Sequence, residues 1–374
     1  MKNILVVFGT RPEVIKLAPV ILELKKYPEK YNVIICNTEQ QKELSNQTLF
    51  FFGLKAGINL DVMRPNQTLA GVQFRILEKL SEVFTTHEID ATIIQGDTMT
   101  VFCGALVSFY NKVPVFHVEA GLRSYDLFEP FPEEAMRQMT SRITNVHFAP
   151  TQKAADALKA EGIKEEKIIL TGNTVIDALS CLSDPIMKRA EKNLKRMGIC
   201  LNDKLVLMTV HRRENHGERL DTILSTIKQL TKKYTNHQFV LPVHPNPNVK
   251  EKVYTVLGNL PNVILTDPLD YPELVTLMKN TKLVLTDSGG IQEEAPTFGN
   301  PILVMRYETE RTEGIEAGFT KLVGADRDKI LSSACEILDQ DKAKTHKDGS
   351  KNPYGDGTAA LKIQEVINEY FSAN

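Results

Sequence analysis

Short apolar runs alternate along this chain with stretches whose apolar residues recur every three or four positions. Continuous apolar runs are typical of strands buried on both faces of a parallel sheet, and the longer period is typical of helices that pack one face on such a sheet. The first half contains six predicted strands, at residues 4–8, 33–36, 91–95, 113–118, 147–150 and 168–171. Helical patterns lie between them, among them residues 40–52 and 69–83. This alternation predicts right-handed βαβ units and a doubly wound parallel sheet.

A second series of the same kind follows residue 200. Its predicted strands are residues 205–210, 238–243, 263–266, 283–286 and 302–305, and its predicted helices are residues 220–233, 272–280, 291–298 and 328–338. The amphipathic stretch 173–198, interrupted by Pro185, is interpreted as a bridge, residues 342–356 as a loop or hinge, and residues 358–371 as a closing helix. We therefore predict an α/β protein with two Rossmann-like doubly wound domains, residues 1–172 plus 358–374 and residues 173–357. A ligand is expected in a central cleft that the two domains face, at the carboxyl ends of both sheets.

Composition narrows the class of protein. The length of 374 residues fits two domains, and an apolar share of 42% with 25% charged residues is that of an ordinary globular protein. A net charge of −2 argues against a nucleic-acid partner. Five scattered cysteines without a C-x-x-C pair indicate reduced thiols, and no apolar run approaches the roughly 20 residues of a membrane span. We expect a soluble, cytoplasmic protein with no membrane association.

The segment 117–137 is rich in acidic residues and follows a predicted strand. Its carboxylates belong to Glu119, Asp126, Glu129, Glu133 and Glu134. Loops that leave the ends of buried strands are where α/β proteins usually place their chemistry, although a solvated acidic loop is the alternative. The next helix is expected to start at Arg137 and to anchor this loop.

The sequence TDSGGIQEEA follows the predicted strand 283–286. Ser288 is expected to cap a helix, and Gly289 and Gly290 would let its amide groups and positive dipole end approach a phosphate. Glu294, a turn later, could reach ribose hydroxyls. A plain strand–turn–helix connection, with glycines for tight packing, is the alternative.

Three other strand ends carry polar residues. Thr10 and Glu13 in GTRPE have the spacing of a capping box, and Arg11 and Lys16 are the cations of that loop and helix, with surface salt bridges as their alternative role. Asp97, in QGDT, either caps the next helix or reaches the cleft.

The strand ends of the second half carry histidine and arginine. His211 and Arg212, in HRREN, suit a diphosphate and a group that titrates near neutral pH, and His244 follows the next strand. A structural histidine is one alternative. A metal site that includes His216 is another, but the spacing lacks a helical pair of ligands, so we expect no metal.

Two familiar nucleotide fingerprints are absent from the sequence. No G-x-G-x-x-G follows the first strand, and G-x-x-x-x-G-K-[ST] occurs nowhere. These absences argue against a nicotinamide cofactor and a P-loop ATPase, and we expect no cofactor. Arg11, Arg212 and Arg311, together with a Ser-Gly-Gly helix start, still favour a diphosphate and hence a nucleotide-sugar.

Taken together, GTRPE-x-IK, QGDT, HVEAGLR, PEE-x-x-R, HRREN, DSGGIQEEA and ETER resemble the non-hydrolysing UDP-N-acetylglucosamine 2-epimerases in order and spacing, from Met1 to about residue 370. The resemblance implies the two-domain GT-B architecture. It also implies expulsion of UDP to form 2-acetamidoglucal, followed by re-addition of UDP after protonation on the opposite face of the sugar. That route needs acid–base groups on both faces of the ring and a stabilised diphosphate.

The resemblance also implies roles for individual residues. Asp97, Glu119 and Glu133 would be the acid–base set, His211 would lie near the diphosphate, and Lys16 would lie in the active site. The residues implied to bind UDP are Arg11, Ser288, Gly289, Gly290, Glu294 and Arg311.

A second UDP-N-acetylglucosamine acts as an allosteric activator in some bacterial members of this family. Four residues of this chain match the activator positions: Gln40, Glu134, Arg212 and His244. The family also implies a homodimer. The chain departs from the usual family residues at Gln41, Met136 and Thr312, and Gln41 lies in the segment associated with the activator.

Several functions are compatible with these motifs. Epimerisation of UDP-N-acetylglucosamine to UDP-N-acetylmannosamine for surface polysaccharide synthesis is our leading hypothesis. Related epimerases act on UDP-2,3-diacetamido-2,3-dideoxyglucuronate, and a hydrolysing relative would release free N-acetylmannosamine. A GT-B glycosyltransferase, which would need an acceptor groove, and a nucleotide-sugar sensor without catalysis belong to other functional classes.

Overall fold

The computed structural model describes residues 1–340 and 351–373, which form two compact units. Residues 1–181, with the chain from Tyr354 onward, make up unit 1, and Leu182–Pro353 make up unit 2. Within the described residues, every ladder between the strands of either sheet is parallel. Residues 342–350 of the predicted loop 342–356 lie outside the described chain.

Unit 1 contains a seven-stranded sheet in the order β3-β2-β1-β4-β5-β6-β7. Its strands are β1 Lys2–Phe8, β2 Tyr31–Asn37, β3 Ile58–Asn59, β4 Ala91–Gln95, β5 Val115–Val118, β6 Val146–Ala149 and β7 Ile168–Leu170. Its helices up to residue 181 are α1 Arg11–Leu24, α2 Lys42–Phe51, α3 Leu69–Thr86, α4 Met99–Tyr110, α5 Glu133–Ile143, α6 Gln152–Ala160 and α7 Thr174–Ser180. The central strands are apolar on both faces because helices cover both sides, and Ile4, Leu5 and Val6 are fully buried.

Unit 2 contains a six-stranded sheet in the order β10-β9-β8-β11-β12-β13. Its strands are β8 Leu205–Thr209, β9 Gln238–Pro242, β10 Val263–Thr266, β11 Leu283–Thr286, β12 Ile302–Val304 and β13 Thr320–Leu322. Its helices are α8 Asp184–Arg196, α9 Glu218–Lys233, α10 Pro247–Leu257, α11 Tyr271–Asn280, α12 Gly289–Glu294, α13 Glu313–Glu316 and α14 Arg327–Leu338. The final helix, α15 Ala359–Ala373, returns to unit 1 and packs on α1 and α7.

Two parallel-sheet α/β units confirm the predicted fold class, and several local predictions need correction. The stretch 173–198 forms two helices, α7 and α8. The break between them lies at residues 181–183, just before Pro185, which occupies the first turn of α8, where a missing amide hydrogen costs nothing. The helix after the acidic loop begins at Glu133, four residues before Arg137. Strands β3 and β13 and helix α10 were not predicted, and α10 begins with Asn246 as cap and Pro247 in its first turn.

The strand order of each sheet reverses direction once. In unit 1 the reversal lies between β1 and β4, and in unit 2 it lies between β8 and β11. The helices that follow neighbouring strands at such a point leave toward opposite faces, which opens a crevice at the carboxyl ends of the strands. GTRPE and QGDT follow β1 and β4, and HRREN and DSGG follow β8 and β11. The motifs therefore lie at the switch point of each sheet.

Candidate functional site

The predicted site residues fall into two groups, one on each unit. On unit 1, Lys16 in α1 forms an ion pair with Glu119 at the end of β5. Both side chains are only 8% exposed. The Asn173 amide also donates to the Glu119 carboxylate, at 3.4 Å. A carboxylate that is buried to this extent stays ionised only when a cation and hydrogen-bond donors stabilise it, and these neighbours supply both.

The backbone at Glu119 has a left-handed conformation, with φ of 61°. This conformation costs a non-glycine residue on the order of 1 kcal/mol or more, and such strain persists where the surrounding structure holds it. Two residues later the chain turns through Gly121, which has φ of 94°. A Cβ at Gly121 would lie 2.2 Å from the carbonyl oxygen of Ala154 in α6, so only glycine allows this close packing. The tight turn fixes Glu119 at the end of β5.

Asp97, at the end of β4, is held by Arg137. The Arg137 Nε donates to the Asp97 carboxylate at 2.8 Å, and another guanidinium nitrogen lies 2.6 Å from the same oxygen. Arg137 also reaches Glu134 Oε2, at 3.1 Å. Asp97 keeps 27% of its side chain exposed, whereas the Arg137 side chain is 7% exposed. This carboxylate is therefore both oriented by the guanidinium and open to solvent.

Glu133 and Glu134 begin helix α5 but have different surroundings. Glu134 is fully buried and accepts hydrogen bonds from the backbone of Ser124 and Tyr125 and from the Gln138 amide. Burial opposes ionisation of Glu134, but these donors and Arg137 outweigh it and lower its pKa. Glu133 is half-buried, and no hydrogen bond of its carboxylate is found within the described part of the chain. Glu134 thus holds the acidic loop in place, and Glu133 lies at the loop's edge.

Arg11 and Gln40 complete the predicted group on unit 1. The backbone amide of Arg11 donates to the Gln41 side chain, at 3.1 Å, and the Gln41 amide donates to the Gly9 carbonyl, at 2.8 Å. The Gln40 side chain accepts from the Thr100 hydroxyl, at 2.6 Å. Gln41, where the chain departs from the usual family residue, thus ties the loop after β2 to the loop that carries Arg11.

Unit 2 is organised around Asp287, which the sequence analysis did not single out. Its fully buried carboxylate accepts from the backbone amides of His211 and Arg212 and from the Asn215 side chain, at 2.9 to 3.1 Å. The His211 ring nitrogen Nε2 lies 3.8 Å from Asp287 Oδ1. Burial lowers the pKa of His211, while the Asp287 charge opposes that shift. His211 also stacks on His244, with ring centroids 5.8 Å apart.

Three arginines crowd the same edge of the sheet. Arg311 pairs with Glu293, at 2.7 Å, and with Glu310, while Arg306 pairs with Glu214 and Glu310. Burial and the charges of Arg311 and Arg306 lower the pKa of Arg212, and its Nε is buried with no hydrogen-bond partner in the described chain. A bound anion would relieve the repulsion among these cations.

The glycine turn after β11 lies beside Arg311. A Cβ at Gly289 would lie 2.6 Å from the Arg311 Cζ, whereas one at Gly290 would meet nothing within 4 Å. Ser288 occupies the capping position of α12, but its side chain makes no capping hydrogen bond, contrary to our prediction. Glu294 is the last residue of α12 and is 5% exposed. Gly289 therefore allows the guanidinium to pack directly against the start of the helix.

Comparison with known proteins identifies the family. Residues 23–368 match the UDP-N-acetylglucosamine 2-epimerase family. A UDP-N-acetylglucosamine 2-epimerase of Neisseria meningitidis is 42% identical over 371 residues, which cover 98% of this chain and 99% of that protein. The chain belongs to the UDP-N-acetylglucosamine 2-epimerase family. This confirms the resemblance inferred from the motifs.

Solved structures of this family share the whole fold. The crystal structure of the UDP-GlcNAc 2-epimerase from Neisseria meningitidis bound to UDP-GlcNAc has a TM-score of 0.92 and covers 98% of this chain and all of that one, at 42% identity. The Methanocaldococcus jannaschii UDP-GlcNAc 2-epimerase in complex with UDP-GlcNAc and UDP has a TM-score of 0.85 at 34% identity, covering 99% of this chain and 100% of that one. A glycosyltransferase of kitacinnamycin, 11% identical with a TM-score of 0.66, shares the fold alone.

Sequence reasoning missed two residues that hold the predicted site residues in place, Asp287 and Arg137. Asp287 lies inside DSGG and Arg137 inside PEE-x-x-R, so both were visible as motif letters, but nothing local indicated which residues they contact. Within the described residues, no group of three histidine, cysteine or acidic side chains is arranged to hold a metal. Over the same residues, no helix combines the length and the apolar character that crossing a bilayer requires.

Proposed function

We propose that this protein interconverts UDP-N-acetylglucosamine and UDP-N-acetylmannosamine without a cofactor. The observation that carries the proposal is a pair of carboxylates at the ends of adjacent strands. Asp97 forms an ion pair with Arg137, and Glu119 forms an ion pair with Lys16. A reaction that removes a proton from one face of a sugar and returns it to the other needs two such groups. Family membership and the relatives solved with UDP-GlcNAc support this substrate over UDP-2,3-diacetamido-2,3-dideoxyglucuronate.

In the proposed reaction, a carboxylate removes the C2 proton while the C1–O bond breaks and UDP leaves with the electron pair. The resulting 2-acetamidoglucal is then protonated at C2 on the opposite face as UDP adds back to C1, so the sequence is redox-neutral. Asp97, Glu119 and Glu133 are the proposed acid–base groups. Lys16 would stabilise the ionised form of Glu119.

Of the proposed UDP contacts, Arg11 lies on unit 1 and the others lie on unit 2. Arg11, Ser288, Gly289, Gly290, Glu294 and Arg311 are the proposed contacts, with His211 beside the diphosphate. The crowded arginines of unit 2 and the start of helix α12 after Ser288 would supply the positive potential that a departing diphosphate requires. His211 could donate a hydrogen bond from a ring N–H to the diphosphate.

Incubation with UDP-GlcNAc in D2O tests this proposal. We expect proton NMR to show UDP-ManNAc with the sugar still attached to UDP and deuterium at C2 in both epimers. Free N-acetylmannosamine would identify a hydrolysing enzyme instead. Turnover only after an acceptor is added would indicate a glycosyltransferase, and binding with no exchange at C2 would indicate a sensor. Product without deuterium would exclude the elimination route.

We also propose an activator site for a second UDP-GlcNAc at Gln40, Glu134, Arg212 and His244. The stacking of His244 on His211 supports this activator site, because a ligand that contacts one ring would also affect the position of the other. The relative solved with both UDP-GlcNAc and UDP is consistent with two ligands. Glu134 would reach a ligand only if the backbone of residues 124 and 125 released it. The test is the initial rate with UDP-ManNAc, which added UDP-GlcNAc should raise.

A homodimer and a cytoplasmic location complete the proposal. All five cysteines are free thiols, as is usual in a reducing compartment. UDP-ManNAc would feed surface polysaccharide synthesis. Sedimentation equilibrium tests the dimer, and a single species at the monomer mass of 42.0 kDa would contradict it.

A further inference from the structure

Glu13, in the first turn of α1, has a carboxylate that is almost completely enclosed. The residue is 2% exposed and lies one helical turn before Lys16. Its Oε2 accepts from the amides of Gly9 and Thr10, at 3.1 and 2.8 Å, and from the Thr10 hydroxyl, at 2.7 Å. Its Oε1 accepts from the Thr98 hydroxyl, at 2.8 Å. Four donors thus converge on one buried carboxylate.

These donors come from two different loops. Gly9 and Thr10 precede Arg11 at the end of β1, and Thr98 follows Asp97 at the end of β4. The strands β1 and β4 are hydrogen-bonded neighbours, so the loops leave the sheet side by side at its switch point. Glu13 therefore sets the distance between the loop that carries Arg11 and the loop that carries Asp97.

The geometry favours the ionised form of Glu13. An ionised carboxylate only accepts hydrogen bonds, and all four partners can donate. A protonated carboxyl is a weaker acceptor, and its own hydrogen can be directed only at a hydroxyl, so the charge-assisted contacts are replaced by weaker neutral ones. Burial nevertheless raises the pKa of Glu13 to about 7, while the hydrogen bonds from Thr10, Thr98 and Gly9 act in the opposite direction. A change in pH near neutrality therefore changes the strength of these contacts.

Charged groups on the neighbouring elements are already paired. Lys16 pairs with Glu119 at the end of β5, Asp97 pairs with Arg137, and Glu39 after β2 pairs with Lys42. Arg11 also lies at the start of α1, and its backbone amide donates to the Gln41 side chain. The hydrogen bonds to Glu13, rather than a nearby cation, hold its ionised form.

We propose that Glu13 is a positioning residue that clamps the Arg11 and Asp97 loops together in its ionised state and loosens them when protonated. The inference rests on the proposed epimerase function, because turnover reports the placement of Asp97. Loosening the clamp moves Asp97 relative to Arg11, which lowers kcat more than it raises KM.

The test compares Glu13→Gln, Thr98→Val and Thr98→Ser with the unchanged protein. Glutamine keeps the shape of Glu13 but does not titrate, so the fall in kcat below about pH 7 should disappear. Valine removes the Thr98 donor and should lower kcat at pH 8 by about tenfold or more, whereas serine should restore it. Because Thr98 also caps α4, Thr68→Val, which removes the equivalent cap of α3, is the matched control and should change kcat less than twofold.

The amide signals of Gly9 and Thr10 give a readout that does not depend on turnover. In the unchanged protein the Thr10 amide shift should titrate with a midpoint near pH 7, and in Glu13→Gln it should not. A Thr10 amide that does not titrate overturns the proposal, as does an active enzyme whose acid limb survives Glu13→Gln or whose Thr98→Val variant behaves like Thr68→Val. A titrating amide in a protein that does not convert UDP-GlcNAc overturns the proposed function and leaves the clamp in place.

Discussion

At Gly289 the absence of a side chain lets Arg311 pack against the start of helix α12. Arg311 lies on the turn where a Cβ would stand, and Glu293 and Glu310 hold its guanidinium there. Position 289 requires glycine because the Arg311 guanidinium packs closely against it, and not because its backbone is left-handed. Because Gly290, the next residue, has open space around it, the pair offers a direct comparison.

We expect Gly289→Ala to displace the Arg311 guanidinium and to weaken UDP binding by about tenfold, since a charge-assisted hydrogen bond contributes roughly 1.5–3 kcal/mol. Isothermal titration with UDP measures this. Gly290→Ala is the comparison: a Cβ there meets nothing within 4 Å and leaves Arg311 in place, so UDP binding should weaken less than in Gly289→Ala, with a gain of up to about 1 kcal/mol in the free energy of unfolding from helix propensity. Equal UDP affinity in the two variants would contradict our assignment of Gly289.

Asp97→Asn and Glu133→Gln should each abolish turnover and leave UDP binding intact, because neither carboxylate is assigned to UDP. A loss of about 10² to 10⁴-fold in kcat is the usual effect of removing a general acid or base. HPLC of the nucleotide-sugars measures turnover, and titration calorimetry measures binding. Collapse of UDP affinity in a folded variant would show that the acid–base assignment is mistaken. Asp126→Asn, on the exposed part of the acidic loop, is the matched control.

At the scale of elements, sequence pattern located most strands and helices because their signals are local. The predicted bounds of β4, β10 and β11 coincide with those in the structure. β3 was missed because it is only two residues long, and β13 because its three residues, Thr-Lys-Leu, form no apolar run. Helix α10 was missed because it starts within the run HPNPN, where Asn246 is its cap and Pro247 lies in its first turn.

The turn after β8 depends on Asp287, which lies on a different element. We expect Asp287→Asn to lower the free energy of unfolding of unit 2 by about 2–4 kcal/mol, because an amide group would face three donors with one acceptor oxygen. UDP affinity should fall in parallel as His211 and Arg212 lose their fixed backbone. Urea denaturation and calorimetry provide the measurements.

Asp221→Asn is the control for this variant. Asp221 forms an exposed ion pair with Lys252, with 57% of the Asp221 side chain accessible. Such surface pairs contribute about 0–1 kcal/mol. If both variants lose the same stability, Asp287 does not organise the turn.

At the scale of the whole molecule, buried ionisable groups link stability to pH. Burial lowers the pKa of His117 to about 4 and that of His147 to about 3, from 6.5. Below pH 6.5 the unfolded chain therefore binds two protons that the folded protein does not, and acid lowers stability. Glu13 acts oppositely, because its pKa is raised from 4.5 to about 7 and the folded protein binds that proton first. Between pH 6.5 and 4.5 the unfolded chain therefore binds one proton more than the folded protein, because the two histidines outweigh Glu13.

One excess proton corresponds to about 1.4 kcal/mol per pH unit. We expect the free energy of unfolding to be lower at pH 5 than at pH 6.5 by roughly 2 kcal/mol, measured by urea denaturation. His211, His237 and His244, whose pKa values burial also lowers, act in the same direction.

His147→Leu should flatten this dependence, and Glu13→Gln should steepen it. The ring nitrogens of His147 have no hydrogen-bond partner in the described chain, so leucine removes the titrating group without breaking a contact. Stability that is constant or rises toward pH 5 in the unchanged protein would contradict the assigned pKa directions.

The sequence by itself determined which segments are strands and helices, the chemical types at the strand ends and the family, because apolar periodicity and turn residues act over a few positions. Only the tertiary structure decided which strand ends are neighbours. It pairs Lys16 with Glu119 across 103 residues, Thr98 with Glu13 across 85, and His211 with Asp287 across 76. Strand order in a parallel sheet is set by crossover connections and by the packing of helices on both faces, and no local stretch of sequence carries that information.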